Sequence, residues 1–257
     1  MKEMKYSVVL PVYNEAENIA DMVKGLSALP EPPAEIRIVD DRSPDGTFQL
    51  AKELEKEFPC VRAMLNPGEK SLASSVTAGF DAAETEILLC MDADGQHRIC
   101  DVPKLVRAIS EGADMAIGSR YAPGGGFAEK WNFFRLLMSR TAALMAFVSL
   151  RVTVRDPMSG FFAVRKEAFR RIRPALSPDG FKIMLEILYL LTLSDPETRV
   201  KECGIVFELR KKGKSKLSAD TILKYLRMLL LLFLRSRSLR RKITNAAAAG
   251  SQGGGTL

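Results

Sequence analysis

A chain of 257 residues is long enough to bury a substantial core. Its 47% hydrophobic and 27% charged content describes a folded globular protein and excludes a disordered one. The net charge of +7 is unevenly placed: between Lys201 and Lys242 stand 13 Lys and Arg against 3 Asp and Glu. Such a field suits nucleic acid, phosphate-bearing substrates or an anionic membrane, and equally a solvated basic face. Apolar runs such as Met228–Leu234 fall far short of the roughly 20 residues that cross a bilayer. Met1–Lys5 leads straight into a strand-like run, so no signal peptide is expected. Cys60, Cys90, Cys100 and Cys203 lack paired metal-ligand spacing, which points to reduced thiols in a cytosolic setting.

The first half alternates strand and helix patterns. Tyr6–Val12 reads as a buried strand and Glu15–Leu29 as a helix. Ile36–Val39 is a second strand that ends at Asp40 and Asp41, and Gly46–Phe58 is helical. Short strands follow at Val61–Leu65 and Ile87–Met91, with a helix over Leu72–Ala83 between them. A helix over Val102–Ser110 precedes a strand over Asp114–Gly118. This alternation implies an α/β fold: a largely parallel sheet with helices on both faces, whose ligands bind at the carboxyl ends of the strands. Asn14–Glu15, Asp40–Asp41, Asp92–Asp94 and Ser119–Arg120 all fall at such ends, which points to one shared cleft.

The second half has a different pattern. The three glycines within Tyr121–Phe127 predict a flexible loop. Trp131–Leu150 and Phe181–Leu193 read as helices and Cys203–Leu209 as a strand. The Leu-rich stretch Thr221–Leu234 ends in the basic run "RSRSLRRK". It suits a helix lying in a membrane interface or docking on a membrane partner, or else a core helix with a solvated end. Thr141–Leu150, between Arg140 and Arg151, is open to lipid contact or core packing in the same way. The predicted organisation is a globular domain over 1–217, an amphipathic basic membrane-associating helix over 218–242 and a disordered low-complexity tail over 243–257.

The chemistry centres on "MDADGQHR", Met91–Arg98. Two carboxylates one residue apart repel unless water, a cation or a shared proton separates them. In an extended strand end, a side-chain period of two places Asp92 and Asp94 on one face. Their oxygens suit a hard cation such as Mg²⁺ or Mn²⁺, commonly held by one or two carboxylates plus substrate phosphates. A solvated strand end is the plain alternative. His97 is the single histidine, which disfavours a His/Cys zinc site and leaves it a structural or supporting part. Cys90, in an apolar run, reads as a small hydrophobe. "PGEKSLASS" (Pro67–Ser75) lacks the glycines of a phosphate-binding loop, no G-x-G-x-x-G follows the first strand, and no nucleophile elbow is present.

Seven segments occur in order: "VVLPVYNEAENI", "VDDRSPDGT", "MDADGQH", "GSRY", "DPMSGFFAV", "GFKIMLEIL" and "RKKGKSKL". From about Tyr6 to about Leu234 the chain resembles the inverting family 2 glycosyltransferases of the GT-A fold, a Rossmann-like nucleotide-diphospho-sugar transferase. Within them it is similar to the polyprenyl-phosphate (dolichol-phosphate) mannose synthases; "DPMSGFF" and "GFKIMLEIL" favour that branch.

The resemblance implies transfer of mannose from GDP-mannose to a polyprenyl or dolichyl phosphate with inversion. The alternative is a UDP-sugar-dependent transferase, such as a glucosyltransferase, acting on the same lipid class. It implies that Pro11, Tyr13, Glu15, Val39 and Asp41 hold the nucleoside. Asp92, Ala93 and Asp94 match the diphosphate and metal segment, with Gln96 a third ligand to Mg²⁺ or Mn²⁺. Arg120 matches a contact to donor and acceptor phosphates, and Arg210 and Lys216 match basic residues on the donor diphosphate. Arg135 and Ser139, one helical turn apart, match the acceptor-phosphate site, while Asp156 is structural or orienting. Asp94, Arg120, Arg135 and Ser139 are thus the candidate catalytic set. Implied partners are the nucleotide sugar, the lipid phosphate in a membrane and a small membrane-anchor subunit, with no nucleic acid. The implied location is peripheral, on the cytoplasmic face of a membrane. Arg42 and Ala73 depart from the family pattern, Arg42 where a small or polar residue is usual, and Arg42 bears on the nucleotide pocket.

Overall fold

A computed structural model of the chain describes residues 4–128, 133–177, 182–208, 224–236, 238, 239 and 241, with backbone alone for 133–139. The first strands form because β-branched and aliphatic residues alternate between two buried faces. In β1 (Tyr6–Val12), Tyr6, Val8, Leu10 and Val12 pack to one side and Val9 to the other. Its neighbours β2 (Glu35–Asp40) and β4 (Ile87–Cys90) both pair with it in parallel, and β3 (Val61–Leu65) adds outside β2. Of the remaining strands, β5 (Met115–Ser119) runs parallel to β8 (Val200–Gly204). The order across the sheet is β3-β2-β1-β4-β7-β5-β8, with β7 (Phe162–Arg165) antiparallel between β4 and β5.

Helices cover both faces, as the alternation predicts. One layer holds α1 (Ile19–Ser27), α2 (Thr47–Glu57) and α4 (Val102–Ser110). The other holds α3 (Leu72–Ala82), α5 (Phe133–Leu150), α6 (Lys166–Ile172) and α7 (Ile183–Ser194). There Phe80 of α3 meets Phe162 of β7 and Phe169 of α6 edge to face, with centroids 5.9 and 5.2 Å apart. Helix α7 is buried along most of its length, Glu186 included. That carboxylate accepts from the Ser177 N–H at 2.7 Å, and burial pushes its pKa up to about 7.

The C-terminal segment α8 (224–236) is helical and lies along α5. Tyr225 donates its hydroxyl to the Ala142 carbonyl at 2.6 Å, while Met228, Leu229 and Leu232 join the core. Its other side exposes Leu226, Leu230, Phe233 and Leu234, beside exposed Leu144, Phe147 and Val148 of α5. Between the two helices runs an apolar groove of about 330 Å³. Each of these two helices therefore has one face in the core and one face exposed. Among the described residues no helix is long and apolar enough to cross a membrane.

Three expectations need correction. The first helix starts at Ile19, not Glu15: residues 16–18 form a turn, and the N–H groups of Glu15 and Ala16 tie it to the Thr47 hydroxyl and the Asp45 carboxylate. The triple-glycine stretch is held rather than loose: β6 (Gly126–Phe127) pairs with β9 (Val206–Phe207), and Gly125 donates to the Ala122 carbonyl. A Cβ on Gly204 would lie 2.2 Å from the Pro123 carbonyl oxygen, so this glycine serves close backbone approach. Finally, the strand expected over Cys203–Leu209 is two strands, broken at Ile205, where the chain leaves β5 for β6.

Helix α3 seats closely on the sheet through Gly79, where a Cβ would meet Val9 Cγ1 at 2.4 Å and Val39 Cγ2 at 3.1 Å. Ala in an ordinary helix interior gains up to about 1 kcal/mol over Gly. Here the overpacking is larger, so Gly79→Ala is expected to lower unfolding free energy by about 1–3 kcal/mol in urea titration. A more stable variant would contradict this packing.

Candidate active site

The cleft opens where the β1–β4 ladder stops. The last registered pair is Val9 and Cys90, followed by one bond from the Met91 N–H to the Val9 carbonyl. Pro11 has no N–H to continue the ladder, so the two strands part at their carboxyl ends. Chain connections run from β1 outward to β2 on one side and reach β4 on the other, the switch point where open α/β sheets bind ligands.

On the β1–β2 side the two loops are stitched together by side chains. Asn14 N–H donates to Ser43 Oγ, Glu15 N–H to Thr47 Oγ1 and Ala16 N–H to Asp45 Oδ2. Asp45 also accepts from the Thr47 N–H and hydroxyl. Burial opposes the Asp45 charge, but these donors outweigh it and hold the carboxyl below its usual range. Asp40 accepts from Ser43 N–H at 2.7 Å, and buried Asp41 accepts from Asn66 Nδ2 at 2.8 Å. Pro11, Val39 and Asp41 are buried and Tyr13 and Glu15 half-buried, so the five expected nucleoside residues gather at one end. The Lys70 ammonium lies 3.6 Å from the Tyr13 ring centroid.

Beyond β4 the chain turns at once. The strand ends at Cys90, and Asp92 and Asp94 lie in the turn that follows, with Gly95 at φ 76°. The period-two argument for a shared strand face therefore does not apply; the turn itself orients the pair. Asp94, 4% exposed, accepts from the Gln96 N–H at 3.1 Å. Asp92 faces His97 Nε2 at 3.5 Å, and its carboxylate fills the space where a Cβ on Gly160 would sit, 2.4 Å from Oδ2. The His97 ring is buried against Phe161 and Phe207, which makes it a support behind Asp92. The Gln96 amide nitrogen donates to the Glu208 carbonyl, so its oxygen is the end that could take a cation. Cys90 is buried, and burial together with the Asp92 charge pushes its thiol pKa up, as suits a small hydrophobe.

Arg120, just past β5, is fixed by Asp156. Its Nε and backbone N–H donate to Asp156 Oδ2 at 2.7 and 3.0 Å, and Nη2 to Oδ1 at 2.6 Å. Burial works against the guanidinium charge, but the bonds and attraction of Asp156 win and raise its pKa. The rings of Tyr121, Phe127 and Phe207 surround it, with centroids 5.2–5.9 Å from Cζ. Asp156 is in turn set by Glu202 of β8, which accepts from the N–H groups of Arg155 and Asp156 at 2.9 and 3.1 Å.

Lys182, at the start of α7, escaped sequence reasoning. Burial pushes its pKa down; the Asp92 charge opposes this, Arg120 adds to it, and Asp156 opposes it more weakly. Lys182, Asp92, Arg120 and Asp156 thus share one cleft and feel one another's charge. The available signal was a lone lysine opening the otherwise apolar run Ile183–Leu185, a costly place for a cation without a task. Arg135 and Ser139 lie on α5, but their side chains fall outside the described residues, as do Arg210 and Lys216 entirely.

Curated relatives include the dolichol-phosphate mannosyltransferase of Pyrococcus furiosus, 42% identical over 87% of this chain and 62% of the relative's length. That of Saccharomyces cerevisiae is 38% identical over 88% of this chain and 86% of its own length. Polyprenol monophosphomannose synthase of Mycolicibacterium smegmatis is 35% identical, covering 84% and 82%. This chain therefore spans less than two thirds of the P. furiosus protein. Among solved structures, Mycobacterium tuberculosis glucosyl-3-phosphoglycerate synthase, with Mn²⁺, UDP and its product, superposes with a TM-score of 0.67. It covers 89% of this chain and 79% of that one at 18% identity, a likeness of fold that matches the GT-A architecture. Residues 7–173 match the family model described as glycosyl transferase family 2, and the chain belongs to that family.

Proposed function

We propose that this glycosyltransferase moves mannose from GDP-mannose to a polyprenyl (dolichyl) phosphate with inversion, yielding polyprenyl-phosphate β-mannose and GDP. The observation that carries this reading is the meeting of an oxygen-donor turn, Asp92–Gln96, with the half-buried cations Lys182 and Arg120 at the sheet's switch point. The names of the relatives in Pyrococcus, Saccharomyces and Mycolicibacterium support the same sugar and lipid class.

Two carboxylates and an amide oxygen form a hard donor set that fits Mg²⁺ or Mn²⁺. Asp92, Asp94 and Gln96 would hold that ion, which when bound neutralises charge on a leaving diphosphate. Lys182 and Arg120 add positive charge from partly buried positions, where it counts for more than in bulk solvent. The acceptor supplies its own nucleophile, since a phosphate monoester loses its second proton near pH 6. A phosphate oxygen bonds to sugar C1 from behind as the bond from C1 to the diphosphate oxygen breaks. The electron pair leaves with GDP, and no strong general base is required. Asp156 fits this scheme as an orienting group, because its carboxylate is fully buried and committed to Arg120. In this reading Arg120, Arg135 and Ser139 place the acceptor phosphate, and Arg210 and Lys216 bind the donor diphosphate.

The acceptor's chain needs a lipid phase, and the exposed apolar faces of α5 and α8 offer contact with one. Arg140, Arg151 and Lys224 stand beside these faces, a pattern suited to an anionic surface. The chain is thereby read as a peripheral protein of the cytoplasmic membrane face, with a small apolar anchor subunit as a further partner.

Turnover of radiolabelled GDP-mannose into organic-extractable lipid tests the reaction. With Mn²⁺ supplied, Asp94→Ala is expected to lose about 100-fold or more. Near-normal turnover would refute the metal assignment, and preference for UDP-glucose over GDP-mannose would select the UDP-sugar reading. Flotation with anionic liposomes tests the surface: the parent chain rises with the vesicles, and Leu230→Glu with Phe233→Glu stays behind. Equal behaviour of the two would remove this face from membrane contact.

A further inference from the structure

Arg42 departs from the small or polar residue usual at its place, and its backbone explains the restriction. Its φ is 60°, the left-handed region that glycine and asparagine enter readily and arginine does not. The side chain reaches the loop after β3, where Nη2 donates to the carbonyls of both Asn66 and Gly68 at 3.1 Å. Asn66, 1% exposed, ties the same loop to β2: its Nδ2 donates to Asp41 Oδ1 at 2.8 Å and to the Glu69 carbonyl at 2.9 Å. Its Oδ1 accepts from the Gly68 N–H and the Ser74 hydroxyl. Further along the loop, Lys70 sits over the Tyr13 ring. The loop therefore runs from Asp41 to Tyr13, and Arg42 holds it between them.

We infer that Arg42 is a positioning residue for the donor: it straps the 66–70 loop so that Asp41 and Tyr13 meet the nucleoside of a nucleoside diphosphate in a preset geometry. The inference rests on the proposed function, which puts the nucleoside at the ends of β1 and β2. Strained backbone persists where surrounding contacts hold it, and such residues cluster at ligand clamps. A residue serving stability alone would do better here as asparagine, which fits the backbone without strain. The strap's benefit is accordingly expected in binding and not in folding.

Isothermal titration of GDP, and of UDP, in the presence of Mn²⁺ tests this together with thermal melting. Arg42→Asn keeps the left-handed turn and removes the strap. It is expected to bind GDP about tenfold more weakly, the order that loss of a charge-assisted hydrogen bond permits. Its melting temperature should stay within about 2 °C of the parent. Arg42→Lys, which keeps a cationic donor on a long side chain aimed at the same carbonyls, should recover part of the affinity. Unchanged GDP affinity in Arg42→Asn, affinity lost only in step with melting, or no recovery in Arg42→Lys would each overturn the inference. A parent chain that binds neither nucleotide would instead overturn the proposed function and the inference with it.

Discussion

The buried pair of Arg120 and Asp156 is the constraint on which the cleft depends. Taking both ions out of water is costly, and the cost is met only because the guanidinium is gripped through two of its nitrogens and a backbone N–H. Glu202 secures the turn that carries Asp156, so β8 at the sheet edge fixes an arginine beyond β5. Removing one partner would strand the other charge in a low-dielectric site, at a cost of about 3–5 kcal/mol. The arginine is thus held before any substrate arrives, as charge stabilisation in a transition state requires.

The same economy of placement holds across the cleft. Antiparallel β7 lies between β4 and β5 and brings "DPMSGFF" beneath both strand ends. Gly160 from this segment makes room for Asp92, while Asp156 from it grips Arg120. One short stretch therefore sets the acidic turn against Arg120. Lys182, arriving from α7 on the opposite layer, completes the group.

Much of the fold was legible because burial imposes a period. Val61–Leu65 and Val102–Ser110 have in the structure the limits read from the pattern. Strand β7 was not legible: four residues run straight into α6, and its partners lie far away in sequence, so no local signal marks it. Edge strand β8 was misplaced since Lys201 and Glu202 break its hydrophobic alternation. The triple glycine misled because glycine signals close packing as readily as freedom, and only the contact with Gly204 distinguishes them. Asp92, Asp94 and Arg120 stood out as charges after apolar runs. Lys182 and Glu202 did not, because their partners are assembled by tertiary structure.

A crystal structure of the chain with GDP-mannose and Mn²⁺ tests the central claim most directly: that the acidic turn and the cations Lys182 and Arg120 together receive the donor's diphosphate. The account predicts metal density bounded by Asp92 and Asp94, with diphosphate oxygens between that ion and Lys182 and Arg120. Donor bound with its diphosphate away from this turn, or with no metal at Asp94, would contradict it.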